Sequence, residues 1–205
     1  MIQSSGRTIA RFGVLAAFLV VVLGGCYMPA RFDAEIEITR RGYYSIIFDG
    51  YMVSLPLYTD LREKKLSKDE EKKRVAIIET DLTRDSSVKE FQYFKKGYFK
   101  VHWEKAGDLL GTGMVAFLRR NNNFLSVKFV KKTQLITVQG ASVMKVNAKR
   151  LTDIGLAMQG QLRVRTDAKV VQHNASRVVE KEMKIYVWDI KSLYDSSPNL
   201  LIQIR

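Results

Sequence analysis

Groups able to do acid–base, nucleophilic or metal chemistry are sparse in these 205 residues: two histidines, one cysteine and 21 Asp and Glu residues. His102 lies in Tyr98-Phe99-Lys100-Val101-His102-Trp103, where Phe99, Val101 and Trp103 take one side of an alternating pattern. It therefore shares the polar side with Lys100, the place of a solvated strand residue. His173 precedes Asn174-Ala175-Ser176, turn-like sequence that also matches a glycosylation acceptor pattern by chance, and it should cap or decorate that turn. No His, Cys or carboxylate stands at metal-ligand spacing from His173, neither histidine makes a metal site by sequence, and neither metal nor cofactor is expected. Nucleophile elbows, phosphate-binding loops and His-Glu-x-x-His are missing, and Gly111-Thr112-Gly113 is too short to cradle phosphate. Paired-carboxylate hydrolysis needs only two acids, which leaves Asp49, Asp81, Asp85 and Asp167 as candidates in name. Asp49 precedes Gly50 and suits a bend or bulge; Asp81 and Asp85, one helical turn apart, suit a solvated face or a cap. The reading is non-catalytic, with a hydrolase as the least favoured alternative.

A single cysteine can form no intramolecular disulfide and no Cys-based zinc or iron–sulfur site. Its setting is more telling. Residues 1–12 carry Arg7 and Arg11 and no acid, and residues 13–23 form an apolar run of 11 residues, too short to span a bilayer. Then comes Leu23-Gly24-Gly25-Cys26, which resembles the lipobox of bacterial lipoproteins. The resemblance implies a diacylglyceryl group on the Cys26 thiol, removal of residues 1–25, and acylation of the new amino terminus. Small side chains before the cysteine admit the cleaving enzyme, and each buried methylene of the lipid contributes about 0.8 kcal/mol to anchoring. The competing reading is an uncleaved N-terminal helix with an incidental cysteine. In Gram-negative members an Asp after the cysteine retains the protein at the inner membrane. Tyr27 stands here, so the resemblance implies the periplasmic face of the outer membrane.

The chain is strongly basic, with 34 Lys and Arg against 21 acids. Clusters stand at Lys64-Lys65, Lys72-Lys73-Arg74, Lys95-Lys96, Arg119-Arg120, Lys131-Lys132 and Lys149-Arg150. Sharing one face, they would meet anionic lipid, glycolipid or an acidic envelope protein; dispersed, they form an ordinary soluble surface. Nucleic acid is not expected, because the aromatics read as strand core rather than as stacking platforms.

The elements that must position these groups are mostly strands. Phe32, Ala34, Ile36 and Ile38 alternate with Asp33, Glu35, Glu37 and Thr39, Arg40-Arg41-Gly42 turns the chain, and residues 43–53 return antiparallel. A helical stretch follows Pro56 to about Lys65. Ser67-Lys68-Asp69-Glu70 has capping-box spacing and opens a helix to Arg84, with Val75, Ile78 and Leu82 on one face. Strands are expected at 88–94, 98–105, 114–120, 125–130 and 135–138, a helix at 143–154, and strands at 161–166, 169–173, 184–190 and 199–204. The expected fold is α+β, mainly an antiparallel β-sheet with about two packed helices, in a single domain over 31–205 behind a tether at 26–30.

From Gly160 onward, Thr166-Asp167-Ala168-Lys169-Val170-Val171, His173-Asn174-Ala175, the aromatic strand with Trp188 and the closing strand at 200–204 are similar to LppM-type envelope lipoprotein domains. That resemblance implies a β-rich domain that handles or recognises lipids. The expected function is a membrane-anchored, non-catalytic envelope lipoprotein that binds lipid, glycolipid or an envelope partner. The alternative is a structural or assembly subunit docking through edge strands or the helix around 75–82.

Overall fold

The computed structural model describes residues 27–117 and 124–204. Leu23, Gly24, Gly25 and Cys26, as well as Arg119-Arg120, lie outside the described residues.

Strand β1 (Tyr27–Ile38) and strand β2 (Tyr43–Ser54) pair antiparallel along their lengths around a turn in which Gly42 takes φ 83°. The alternation is realised as expected: Phe32, Ala34, Ile36 and Ile38 are buried, and so are Tyr44, Ile46 and Phe48 across the ladder. Helix α1 (Leu55–Arg62) and helix α2 (Lys68–Leu82) lead to β3 (Val88–Lys95), which pairs with β4 (Tyr98–Asp108), itself paired with β2. Phe99, Val101 and Trp103 of β4 are fully buried. Two later strands extend the sheet beyond β1: β8 (Gln159–Thr166), parallel to it, and β11 (Lys184–Ile190), with β10 (Arg177–Val179) at the edge. The order is β10-β11-β8-β1-β2-β4-β3.

A second sheet contains β5 (Met114–Ala116), β6 (Leu125–Val130), β7 (Leu135–Gly140), β9 (Lys169–His173) and β12 (Asn199–Gln203), in the order β5-β6-β7-β12-β9. The inner faces of the two sheets share one apolar cluster, in which Phe32, Phe48 and Trp103 meet Val127, Ile136, Leu200 and Ile202. Phe117 fills the space between, its ring centroid 4.3 Å from that of Phe48 and 5.2 Å from that of Trp103. Full burial of such a side chain contributes about 1.5–3 kcal/mol. Helix α3 (Leu109–Thr112) closes the end near Gly42. Helix α4 (Lys145–Asp153) packs into a separate apolar group with Met28, Val53, Leu156 and Leu193.

The expected fold class is corrected. Among the described residues the protein is mostly β, with two sheets of seven and five strands, and the larger sheet is mixed because β1 and β8 run parallel. The described residues form four helices where about two were expected. Periodicity marked the strands but not their sheet. The link Asp167-Ala168 looks like a hairpin, yet it passes the chain from one sheet to the other. Arg40 grips Asp167 there, its backbone N–H donating to Oδ1 at 2.6 Å and its Nε to Oδ2 at 2.8 Å. The capping box at α2 is present as read: Ser67 N–H donates to Glu70 Oε2 at 2.8 Å, and Glu70 N–H donates to Ser67 Oγ at 3.3 Å.

Candidate functional site

An open groove of about 500 Å³ lies where β1 begins. Ala30 and Arg31 of β1, Tyr51 of β2, Phe94, Lys95, Lys96 and Tyr98 around the β3–β4 turn, and Gly155, Ala157 and Gln159 after α4 line it. The turn is fixed locally. Lys96 and Gly97 adopt φ 52° and 79°, the left-handed pair that tight hairpins need. Gly97 sits so close to α1 that a Cβ there would stand 2.8 Å from the Tyr58 nitrogen, and its carbonyl accepts from Ser54 N–H at 2.9 Å. Tyr58 in turn donates from its hydroxyl to the Ile154 carbonyl at 2.9 Å, tying the end of α4 to the same corner.

The groove is cationic and aromatic. Arg31, Lys95 and Lys96 line it with no carboxylate among the lining residues. Lys95 Nζ lies 4.9 Å from the centroid of the Phe94 ring, and that ring meets Tyr51 edge-on at 5.6 Å. Burial pushes the Tyr98 phenol above its ordinary range, so it remains a neutral hydroxyl. Such a lining holds an anion between charges and lays aromatic faces along an apolar or sugar portion; it offers no nucleophile with an adjacent base.

Among the described residues, the other basic clusters do not line this groove. Lys65 pairs with Glu63, Arg74 with Asp60, and Lys149 with Asp153. Lys131-Lys132 occupy the β6–β7 turn, on the side of α3 and the β1–β2 turn, where Phe129 N–H donates to the Gly113 carbonyl at 2.8 Å and Leu109 N–H donates to the Gly42 carbonyl at 2.9 Å.

The candidate chemical residues are scattered. His102 lies on the polar side of β4 as read, but between two acids: Nδ1 is 3.2 Å from Asp49 Oδ2 and Nε2 is 2.9 Å from Glu104 Oε1. The hydrogen bond to Glu104, with that to Asp49, raises its pKa despite partial desolvation. Asp49 thus serves His102, and the bulge expected beside it falls in β1, between Pro29 and Arg31. Asp81 pairs with Arg84, whereas Asp85 accepts from Ser87 N–H beyond α2, and hydrogen bonds from Ser87 help hold its carboxyl below the usual range against desolvation. His173 caps its turn, Nδ1 accepting from Ala175 N–H at 3.2 Å. Asn174 is a bracket between strands: its Oδ1 accepts from Trp188 Nε1 and from Asn199 N–H, both at 2.8 Å. Among the described residues no group of three or more His, Cys, Asp or Glu could hold a metal ion. Of the groove, the sequence offered only Lys95-Lys96; the aromatics flanking that pair, Phe94 and Tyr98, were the signal that could have marked it.

No family model and no curated protein matches the chain. Among solved structures it is similar to the NMR structure of the folded domain of LppM from Mycobacterium tuberculosis, with a TM-score of 0.45 and 17% identity over 87% of this chain and 93% of that one. The resemblance noted from Gly160 onward thus meets a structural neighbour of that name, at a TM-score too low to support an inference about function.

Proposed function

We propose that the protein is a lipid-anchored bacterial envelope protein, cut after Gly25 and acylated at Cys26, whose folded part is non-catalytic and binds an anionic lipid or glycolipid headgroup. The observation that carries the binding reading is the groove: Arg31, Lys95 and Lys96 beside Tyr51, Phe94 and Tyr98, with no carboxylate in the lining. Its β1 lining begins at Ala30, four residues beyond Cys26. Tyr27 in place of Asp after the cysteine supports the periplasmic face of the outer membrane. Among the described residues no helix is long and apolar enough to cross a membrane. At the helix around 75–82, Val75 is buried and Ile78 and Leu82 pack onto the core, which leaves Ile77, 68% exposed, as the apolar side chain an assembly partner would meet there.

The test is titration of the full chain, held in nonionic detergent, with a short-chain phosphatidylglycerol and with the matching phosphatidylcholine. Amide shifts at Lys95, Lys96 and Tyr98 with the anionic lipid, weakened about tenfold or more by R31E/K95E/K96E, support the reading, since each cation near an anionic surface contributes about 1 kcal/mol. Equal binding of the two lipids, or indifference to the triple variant, overturns it. Intact-mass measurement of cell-derived protein checks the anchor separately: a mass that retains Met1 overturns lipidation.

A further inference from the structure

The α4 corner of the fold carries features that the groove does not use. Along α4, Lys145, Val146, Lys149 and Arg150 are all exposed and fall within an arc of about 140° at 100° per residue, while Ala148 on the opposite side is fully buried. Val146 is 54% exposed and Met144, just ahead of the helix, 66%. Tyr194 adds a ring that is 54% exposed, next to Leu193, which packs with Ala148. Lys149 is paired with Asp153 at 2.8 Å; Lys145 and Arg150 flank that pair. Apolar side chains set among lysine and arginine on an outward helix face are the pattern of a helix lying at a bilayer surface.

The occupant follows from where the chain enters. Met28 shares an apolar group with Ala148 and Leu156, so the first described turn of chain is fastened to α4. On the anchored reading the chain begins at Cys26, one residue ahead of Tyr27, where the described structure starts. One residue reaches no more than about 3.6 Å, so whatever holds Cys26 holds this corner too.

We propose that the outward face of α4, with Met144, Val146 and Tyr194, docks onto the anionic surface of the bilayer that retains Cys26. This rests on the anchored reading above. The face inserts its apolar tips at headgroup level, the cations meet lipid phosphates, and the groove mouth at Lys95 and Lys96 is held close to that surface.

The experiment introduces an indole by Val146→Trp into the full chain, reconstituted in vesicles whose acyl chains carry bromine, a short-range quencher. Trp103 and Trp188 are buried, at 0% and 3% exposure, and give a constant background. Val171→Trp, at a β9 position 53% exposed on the free edge of the second sheet, is the control. Quenching of the Val146→Trp indole in phosphatidylglycerol-containing vesicles, its loss in pure phosphatidylcholine or on adding K145E/K149E/R150E, and no quenching of the control are expected. A chain that sediments with vesicles while the Val146→Trp indole stays unquenched, or is quenched equally in both lipids, overturns the docking face alone. A chain that fails to sediment with any vesicle overturns the anchored reading and the docking face with it.

Discussion

Phe32 faces Gly160 across the parallel β1–β8 ladder, so closely that a Cβ on the glycine would stand 2.4 Å from the Phe32 carbonyl oxygen and 2.6 Å from its ring. On the other side of β1 the partner of Phe32 is Gly50, where a Cβ would stand 2.2 Å from the Arg31 oxygen. Both neighbouring strands give up a side chain at this level. The nearest obstructing atom at each glycine is a backbone oxygen, which cannot swing aside, so Gly160→Ala and Gly50→Ala are expected to lower stability by about 2–4 kcal/mol in urea unfolding. Gly113→Ala, with nothing within 4 Å and only its φ of 73° to strain, is expected to cost about 1 kcal/mol.

The same ladder is matched in charge. Arg163 Nη1 donates to Asp33 Oδ2 at 2.8 Å and its Nε to Glu35 Oε2 at 3.2 Å, while Arg165 Nη1 donates to Glu35 Oε1 at 3.2 Å. Asp33 is more than half exposed, which weakens its share by solvent screening. Arg163→Ala is expected to destabilise by about 1–2 kcal/mol, a network value rather than that of one pair. Urea midpoints across a double-mutant cycle with Asp33→Ala check the coupling; strictly additive losses would show that the pair contributes nothing.

His102 makes stability depend on pH with a definite sign. Its pKa is raised in the folded protein by Glu104 and Asp49, so its contribution is complete below the unfolded value of about 6.5 and is lost as pH rises through the raised folded value. The urea midpoint should therefore fall across that window, and His102→Gln should flatten the fall. Imidazole proton shifts should place His102 above its free value.

Tyr93 ties α2 to the edge strand β3. Its N–H donates to Glu79 Oε1 at 3.0 Å and its hydroxyl donates to Glu71. Burial, then the Glu71 hydrogen bond, pushes the phenol up to about 12. Ultraviolet titration should find one tyrosine ionising near there, and Glu71→Gln should bring it down. Glu79→Ala leaves an edge N–H bare and is expected to cost about 1 kcal/mol and to raise aggregation on heating.

Much of the local structure was legible because alternation and capping act over a few residues. Phe32 to Ile38, the Ser67–Glu70 box and the turn at His173 needed no distant partner to be read. The parallel pairing of Glu35 with Arg163, and the passage between sheets at Asp167, depend on residues far away in the chain, where hairpin logic misleads. The groove was half legible. Lys95-Lys96 stood out as charge, but Arg31, Tyr51 and Gln159 reach it only through sheet order, which one-dimensional spacing does not encode.

The partnership of β1 with β8 also sets an order of events as the chain acquires its shape. Strand β2 follows closely and can zip onto one side of β1 early, with β4 then adding to β2, but the other side of β1 waits until Gln159–Thr166 have arrived. Pairings so remote in the chain slow folding, and a strand side left open meanwhile recruits foreign strands. A chain emerging from its N-terminus spends that interval half zipped, and its yield depends on how long the interval lasts and on what shields Phe32 to Ile38 until it ends.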